Sequence, residues 1–376
     1  MRLRLLYVES TMAIYGGMER VLTDKLNWLC DNIDCDICLL AVNQGSNPLA
    51  FSLHPKVEFH DLGIMLYQVY RYTGLKRIRE IFRKKQLLKR KLSDYINDFS
   101  PHVIVCPRWE FVPDIVKMCN NIPVVFESHI SCLAYQFDNY DWVNRFRIRH
   151  SYCALKNVEM IISLTRGDAK EWMKINPNVR VIPNVVHLNT TGSVSDCRSK
   201  SAIFVGRYCK QKDIWMLLQI WELVHQQHPD WSLQMFGGYG DQNDMLLSEI
   251  RKKKDLNIVI HQPTASIGDE YLKSSMLLMT SRFEPFGLVL PEAMSYGLPV
   301  VAFDCPYGPA DIITDGVDGF LVKNRNAEEY ANVVCRLMED DSLRREIGKA
   351  GAKSAQRYSS DKVMPMWVDL FKSLVK

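Results

Sequence analysis

The chain has 376 residues, 47% of them hydrophobic, and carries 47 Lys and Arg against 43 Asp and Glu for a formal charge of +4. That length and apolar share suffice for two packed cores, and so mild a positive balance excludes a binder driven by charge to nucleic acid. No apolar run is long enough to cross a bilayer, so any membrane contact is expected to be peripheral.

The opening Met1-Arg2-Leu3-Arg4-Leu5-Leu6-Tyr7-Val8-Glu9 is basic at first, but its apolar run stops at Glu9, too early for a signal peptide. It reads as a buried strand in a cytoplasmic protein. Short apolar runs then alternate with longer helical patterns in two series. The first includes Leu3–Val8, Ile37–Val42, His102–Cys106, Pro123–Glu127 and Met160–Leu164. The second comprises Ser201–Gly206, Ser232–Phe236, Asn257–His261, Met276–Thr280, Pro299–Phe303 and Phe320–Val322. Two series of this kind predict an α/β protein with two Rossmann-like, doubly wound parallel-sheet domains facing a central cleft, where ligands sit beyond the carboxyl ends of the strands. The break falls at Ile182-Pro183-Asn184-Val185-Val186, ahead of the polar stretch Asn189–Lys200, giving domains 1–184 and 185–360. A closing helix over 361–376 carries Met364, Trp367, Leu370 and Phe371 on one face; either domain could receive it, and the N-terminal one is the candidate.

Eleven cysteines are scattered mostly in apolar context, as at Cys106 and Cys335. Cys35 and Cys38 form a C-x-x-C pair, but no second pair lies at zinc-finger spacing, so structural thiols are expected.

Between Arg71 and Lys91 run Arg71, Lys76, Arg77, Arg79, Arg83, Lys84, Lys85, Lys89, Arg90 and Lys91 against the single acid Glu80. Leu75, Ile78, Ile81, Phe82, Leu87, Leu88 and Leu92 add an apolar stripe, which makes a basic amphipathic helix or helix pair. Two readings stand open: a surface helix whose stripe packs on its own domain, or a face that binds anionic lipid headgroups or a polyprenyl-diphosphate acceptor. Arg145, Arg147 and Arg149 would extend that face.

Three segments carry chemistry. Tyr15-Gly16-Gly17 follows the first strand as a turn whose missing Cβ atoms let backbone approach a phosphate. Gly206-Arg207-Tyr208-Cys209-Lys210-Gln211-Lys212 follows the first strand of the second series, so that Arg207, a planar fork, and Lys212, a mobile point charge, form a natural clamp for a diphosphate. In Glu284-Pro285-Phe286-Gly287-Leu288-Val289-Leu290-Pro291-Glu292 a carboxylate, a sharp turn and a helix start lead to a second carboxylate. The N–H groups of Leu288 and Val289 would face an anion, while the carboxylates accept hydrogen bonds from hydroxyls. The expected ligand carries both phosphate and sugar.

These segments, with Phe236-Gly237-Gly238-Tyr239-Gly240-Asp241 and the stretches Ser281–Gly287, Ala293–Ala302 and Asp315–Val322, stand in the order seen in retaining glycosyltransferases of family GT4, which this chain resembles over most of its length. The resemblance implies the GT-B fold and a sugar transfer from a nucleotide-sugar donor, with UDP the family-level expectation, to a lipid-linked or cell-surface glycan. It implies that Arg207 and Lys212 hold the donor diphosphate, that Glu284 orients sugar hydroxyls, that Glu292 binds the ribose, and that His129, in Phe126-Glu127-Ser128-His129, contacts the donor sugar, with Glu127 a competing candidate. Catalysis is thus assigned to Arg207, Lys212, Glu284 and His129. The donor site is expected to be lined by Gly16, Gly17, Gly206, Arg207, Lys212, Gly238, His261, Pro263, Glu284, Phe286, Gly287, Leu288, Val289 and Glu292. No Asp-x-Asp motif stands at a suitable place, so no obligatory metal or other cofactor is expected, and no nucleic-acid partner. Paired carboxylates also serve glycosidases, but these have no use for a diphosphate clamp. A sugar phosphorylase, a nucleotide-sugar epimerase and a non-catalytic nucleotide-sugar-binding subunit remain rivals. Two departures from the family pattern stand out: Asp213-Ile214-Trp215 where Gly commonly follows the lysine, and Asn184-Val185-Val186-His187 in place of Asn-Gly-Val-Asp.

Overall fold

Leu3–Glu9, apolar at most positions, forms β1 and is buried along its last five residues, as a strand covered on both faces must be. The computed structural model describes every residue except 1, 120, 134–141, 239 and 376, and every side chain except those and 142–147, 243 and 254. Tyr239 of the glycine motif and the side chains of Arg145 and Arg147 therefore lie outside the described residues. The chain divides into two compact units, one comprising Met1–Leu164, Asp168–Val185 and Val363–Lys376, the other Thr165–Gly167 and Val186–Lys362.

In the first unit β1 is joined by β2 (Cys35–Ala41), β3 (Val57–Asp61), β4 (Val103–Cys106), β5 (Val124–Glu127), β6 (Met160–Ser163) and β7 (Val179–Val181) in a seven-stranded sheet ordered β3-β2-β1-β4-β5-β6-β7. Every pairing is parallel. The two edge strands, β3 and β7, escaped the sequence reading because Val57-Glu-Phe-His-Asp is largely polar and Val179-Arg-Val is only three residues long. Alternation along β1 and β2 sends Leu6, Val8 and Cys38 to one core layer and Leu5, Tyr7 and Cys35 to the other. Cys35 and Cys38 thus project from opposite faces of the sheet and cannot share an ion. The terminal helix Ser360–Leu374 places Val363, Met364, Trp367, Leu370 and Phe371 in the second of these layers, against Leu5, Tyr7, Leu22 and Leu26.

The basic segment is one helix, Gly74–Phe99. Its apolar stripe divides: Leu88, Leu92 and Ile96 join the core, whereas Leu75, Ile78 and Phe82 stand 85%, 63% and 65% exposed. Several of its cations are taken up internally: Lys84 donates to Ile64 O and Lys91 to Leu62 O, at 2.5 and 2.6 Å, Lys89 pairs with Asp114 at 3.3 Å and Arg83 with Glu80 at 2.8 Å.

The second unit builds a six-stranded parallel sheet from β8 (Ser201–Arg207), β9 (Ser232–Gly238), β10 (Ile258–His261), β11 (Met276–Met279), β12 (Val300–Phe303) and β13 (Phe320–Val322), ordered β10-β9-β8-β11-β12-β13. Phe204, Trp221, Leu233, Leu278 and Tyr330 are among its core residues. Gly206 and Gly237 face each other in register, and a Cβ on Gly237 would stand 1.9 Å from the Gly206 carbonyl oxygen. Only glycine permits this approach. Among the described residues, no helix is long and apolar enough to cross a membrane.

Candidate active site

In each sheet the strand order reverses at its first strand, between β1 and β4 and between β8 and β11. Right-handed crossovers then leave to opposite faces, and the chain parts beyond the carboxyl ends of those strands, where α/β proteins hold ligands. In the second unit the residues there are Arg207, which closes β8, and Thr280–Glu284, which follow β11.

The two loops are laced together. Arg282 N donates to Gln211 O at 2.8 Å, Gln211 Nε2 to Phe283 O at 3.1 Å, and Thr280 Oγ1 to Lys212 O at 2.9 Å. This lacing brings Lys212 Nζ to 2.5 Å from Glu284 Oε2, the oxygen that also accepts from Ser281 Oγ at 3.1 Å. The Glu284 backbone is pinned on the other side, since its carbonyl accepts from Tyr307 N at 3.0 Å and Gly308 N at 2.8 Å. Gly287 turns the chain away at φ +95°, with its missing Cβ 3.1 Å from Glu284 Cγ. The two residues that the sequence placed on phosphate and on sugar are therefore bonded to each other. An ammonium has three donors, so a phosphate can become a further partner of Lys212 while the carboxylate stays in place. The Arg207 guanidinium is exposed and has no partner among the described residues, which leaves its whole fork open to an anion.

The helix after Gly287 is Val289–Ser295, seven residues long, with Leu288 already in a helical conformation. Two turns carry little dipole, so the side-chain cations supply most of the positive field. Glu292 is half-buried beside Tyr271, whose hydroxyl is pushed well up by burial and then by the Glu292 charge. Phe286 turns inward, 2% exposed, with its ring edge-on to Tyr358 at 5.2 Å, so it offers backbone rather than ring to a ligand. His261, at the end of β10, stacks on Phe236 at 4.3 Å and meets Gln234 Oε1 at 2.7 Å. Pro263 follows it, exposed, and Gly238 ends β9.

In the first unit, Gly16 precedes the helix Gly17–Asn32, and its carbonyl accepts from Arg20 N at 3.1 Å. The Glu19 carboxylate folds back here, 2.4 Å from where a Cβ on Gly16 would stand. An anion arriving at this helix start meets a carboxylate as well as backbone N–H groups. Arg108, beyond β4, offsets it: the guanidinium bonds the buried Glu9 at the end of β1 and lies 3.6 Å from Glu19. Burial raises the Glu9 carboxyl above its ordinary range, opposed by Arg108. His129 Nε2 lies 3.1 Å from Glu127 Oε1, and the other Glu127 oxygen is taken by the fully buried Lys25. Burial alone would raise the Glu127 carboxyl, but Lys25 and His129 hold it at about 2. Glu127 thus sits buried between Lys25 and His129, one carboxylate oxygen facing each. Arg108, Lys25 and Glu9 carry no comparable signal in the sequence: Glu9 ends an apolar strand, Lys25 lies in an amphipathic helix and Arg108 in the loop beyond β4.

Two sheets of this order, one per unit, define the GT-B class. Residues 193–354 match the family described as Glycosyl transferases group 1, and over that stretch the chain is similar to this glycosyltransferase family. The amylovoran biosynthesis glycosyltransferase AmsD of Erwinia amylovora is 32% identical over 200 residues, covering 51% of this chain and 56% of the relative. An uncharacterised glycosyltransferase of Haemophilus influenzae is 24% identical over 360 residues, covering 94% and 95%. The chain spans just over half the length of AmsD but nearly all of the second relative. Among solved structures, TarM of S. aureus superposes with a TM-score of 0.81 at 15% identity, covering 99% of both chains. HepE of Anabaena in complex with UDP superposes with a TM-score of 0.76 at 16% identity, covering 99% of this chain and all of the other. Identities this low speak for the fold.

Proposed function

We propose that the chain is a retaining hexosyltransferase that moves a sugar from a UDP-sugar to a lipid-linked or cell-surface glycan in polysaccharide biosynthesis. The observation that carries this reading is the buried Lys212–Glu284 pair with the open Arg207 fork beside it, set at the switch point of the second sheet. As the bond from the anomeric carbon to the diphosphate oxygen breaks, negative charge grows on the leaving phosphate, and Lys212, preorganised by Glu284, meets it together with the Arg207 fork. The acceptor hydroxyl attacks from the face the phosphate leaves, forming the new glycosidic bond, and its proton passes to the departing phosphate oxygen. The products are a glycoside of unchanged anomeric configuration and UDP. Glu284 accepts hydrogen bonds from donor-sugar hydroxyls, Glu292 from the ribose, and His129, steadied by Glu127, contacts the sugar. Lys212, held by Glu284, and the open Arg207 fork supply the charge stabilisation for which other transferases use a metal, and on this reading none is obligatory. UDP as the carrier is supported by its presence in the HepE complex, and a part in biosynthesis by the name of AmsD, an amylovoran biosynthesis glycosyltransferase.

A thermal-shift panel of nucleotide sugars tests the donor. A UDP-sugar at a hundred times its Kd should stabilise the protein by about 2.7 kcal/mol, with slow hydrolysis in the absence of acceptor. Stabilisation by another base alone would overturn UDP, and sugar phosphate released from a glycoside and inorganic phosphate would make the protein a phosphorylase.

Work at the cytoplasmic face of a membrane belongs to the same proposal. Leu75, Ile78 and Phe82, one to two turns apart on the helix Gly74–Phe99, are joined by exposed Tyr67 and Tyr70, and the cations around them complement an anionic headgroup layer. Vesicles rich in phosphatidylglycerol should sediment the protein at low salt, and serine at 75, 78 and 82 together should abolish this. Failure of the unaltered protein to sediment would remove the membrane from the reading.

A further inference from the structure

Asp213 stands directly after Lys212 in a left-handed conformation, φ +49° and ψ +58°, where many members of the family it resembles have Gly. An aspartate there is strained unless its surroundings hold it. They do: the carboxylate is buried, with Oδ2 2.5 Å from Arg325 Nη2 and 3.0 Å from Arg282 Nε. Arg325 reaches this position from the loop after β13, where Asn324 and Arg325 are both left-handed, at φ +54° and +50°. Asn326 then caps the next helix by accepting from the N–H groups of Glu328 and Glu329. The Arg325 guanidinium lies 4.7 Å over the Phe303 ring and donates to Ser281 O at 2.8 Å and Thr280 O at 3.3 Å. One side chain thus ties both loops of the site, 211–213 through Asp213 and 280–284 through two carbonyls.

We propose that Arg325 and Asp213 are positioning residues that hold Lys212 in register with Glu284 and so aim the lysine at the leaving phosphate. Neither touches the donor. Three sites of left-handed backbone, at 213, 324 and 325, serve this one cluster, and the buried ion pair replaces the conformational freedom that glycine would supply. The proposal rests on the reading of Lys212 as a donor-phosphate cation.

The test is a double-mutant cycle on kcat. Arg325→Ala should lower kcat by about 10- to 100-fold, the effect of a misplaced catalytic group, with the donor KM within about threefold. In a Lys212→Ala background the same change should cost less than about threefold, because its target is already gone. Arg325→Lys, which keeps the charge but not the fork, and Asp213→Asn, which tolerates the left-handed backbone without the charge, should give intermediate losses. They carry the cycle if Arg325→Ala does not fold. A kcat for Arg325→Ala near the unaltered value, or losses that multiply fully in the double variant, would overturn the positioning role while leaving Lys212 in place. A Lys212→Ala variant that turns over normally would overturn the reading of Lys212 itself, and the positioning role with it.

Discussion

Lys212→Ala should lower kcat for sugar transfer by about 10²- to 10³-fold, the loss typical of removing one preorganised donor from a developing oxyanion. The donor KM should rise far less, because a phosphate in water is already well solvated and the lysine earns its effect only as charge accumulates on the leaving group. The same change strands Glu284, buried and hydrogen-bonded to Ser281, without its cation. Uncoupling one partner of a buried pair costs about 3–5 kcal/mol where both charges are deeply enclosed, and these side chains are only 13% and 10% exposed. A lower Tm for Lys212→Ala is therefore expected. Adding Glu284→Gln should recover much of that stability, since the neutral amide needs no counter-charge, yet recover no activity. Steady-state kinetics and melting curves on the two single variants and the double one separate these effects. A Lys212→Ala enzyme with unchanged kcat would refute the clamp.

The residues of this pair were legible in the sequence because each lies in a segment whose local chemistry is explicit. Arg207 and Lys212 follow a strand, and Glu284 precedes Pro285 and Gly287, which dictate a turn. The strands beneath them were legible for the same kind of reason: β8 and β11 are short apolar runs, and a continuous apolar run bounded by turns is what a two-sided parallel strand requires. What could not be read is contact between distant positions. Asp213 looked like a departure that left the turn uncertain, and nothing near it announces Arg325, 112 residues away. Lys25 sits in a helix that reads as amphipathic, and its partner Glu127 is 102 residues away. The helix start at Leu288 is also a weaker anion site than its residues suggest, because the helix it opens is only seven residues long. The basic helix yielded to neither open reading alone, because its stripe is core at Leu88 and Leu92 and bare at Leu75 and Ile78. Periodicity shows which side chains share a face, whereas what covers each length of that face is decided by the tertiary fold.

Lys25→Met should be the most damaging single change to the stability of the first unit. The Lys25 ammonium is fully buried, bonded to Glu127 and lying 4.0 Å over the Trp367 ring and 5.2 Å from that of Tyr7. Methionine fills the same volume, so the loss is mainly electrostatic: Glu127 remains buried, with His129 its remaining ion-pair partner among the described residues. A cost of about 3–5 kcal/mol at neutral pH follows. The pH dependence distinguishes this from a packing defect. In the unaltered protein the Glu127 carboxyl is held at about 2 against an ordinary 4.5, so it contributes stability that is fully present above pH 4.5 and is lost as pH falls toward 2. Without Lys25, burial becomes the dominant influence and raises the carboxyl above 4.5. The variant then carries the penalty of a buried carboxylate at pH 7 and sheds it by protonation as pH drops toward 4.5. Melting curves should show a deficit relative to the unaltered protein that is largest near pH 7 and shrinks on acidification. His129, deprived of a fixed carboxylate, should lose its orientation, so transfer by the folded variant should also slow. A deficit of constant size from pH 7 to pH 4.5 would mean that Lys25 acts through packing on Trp367 and Tyr7 alone, and the charge linkage from Lys25 through Glu127 to His129 would fall.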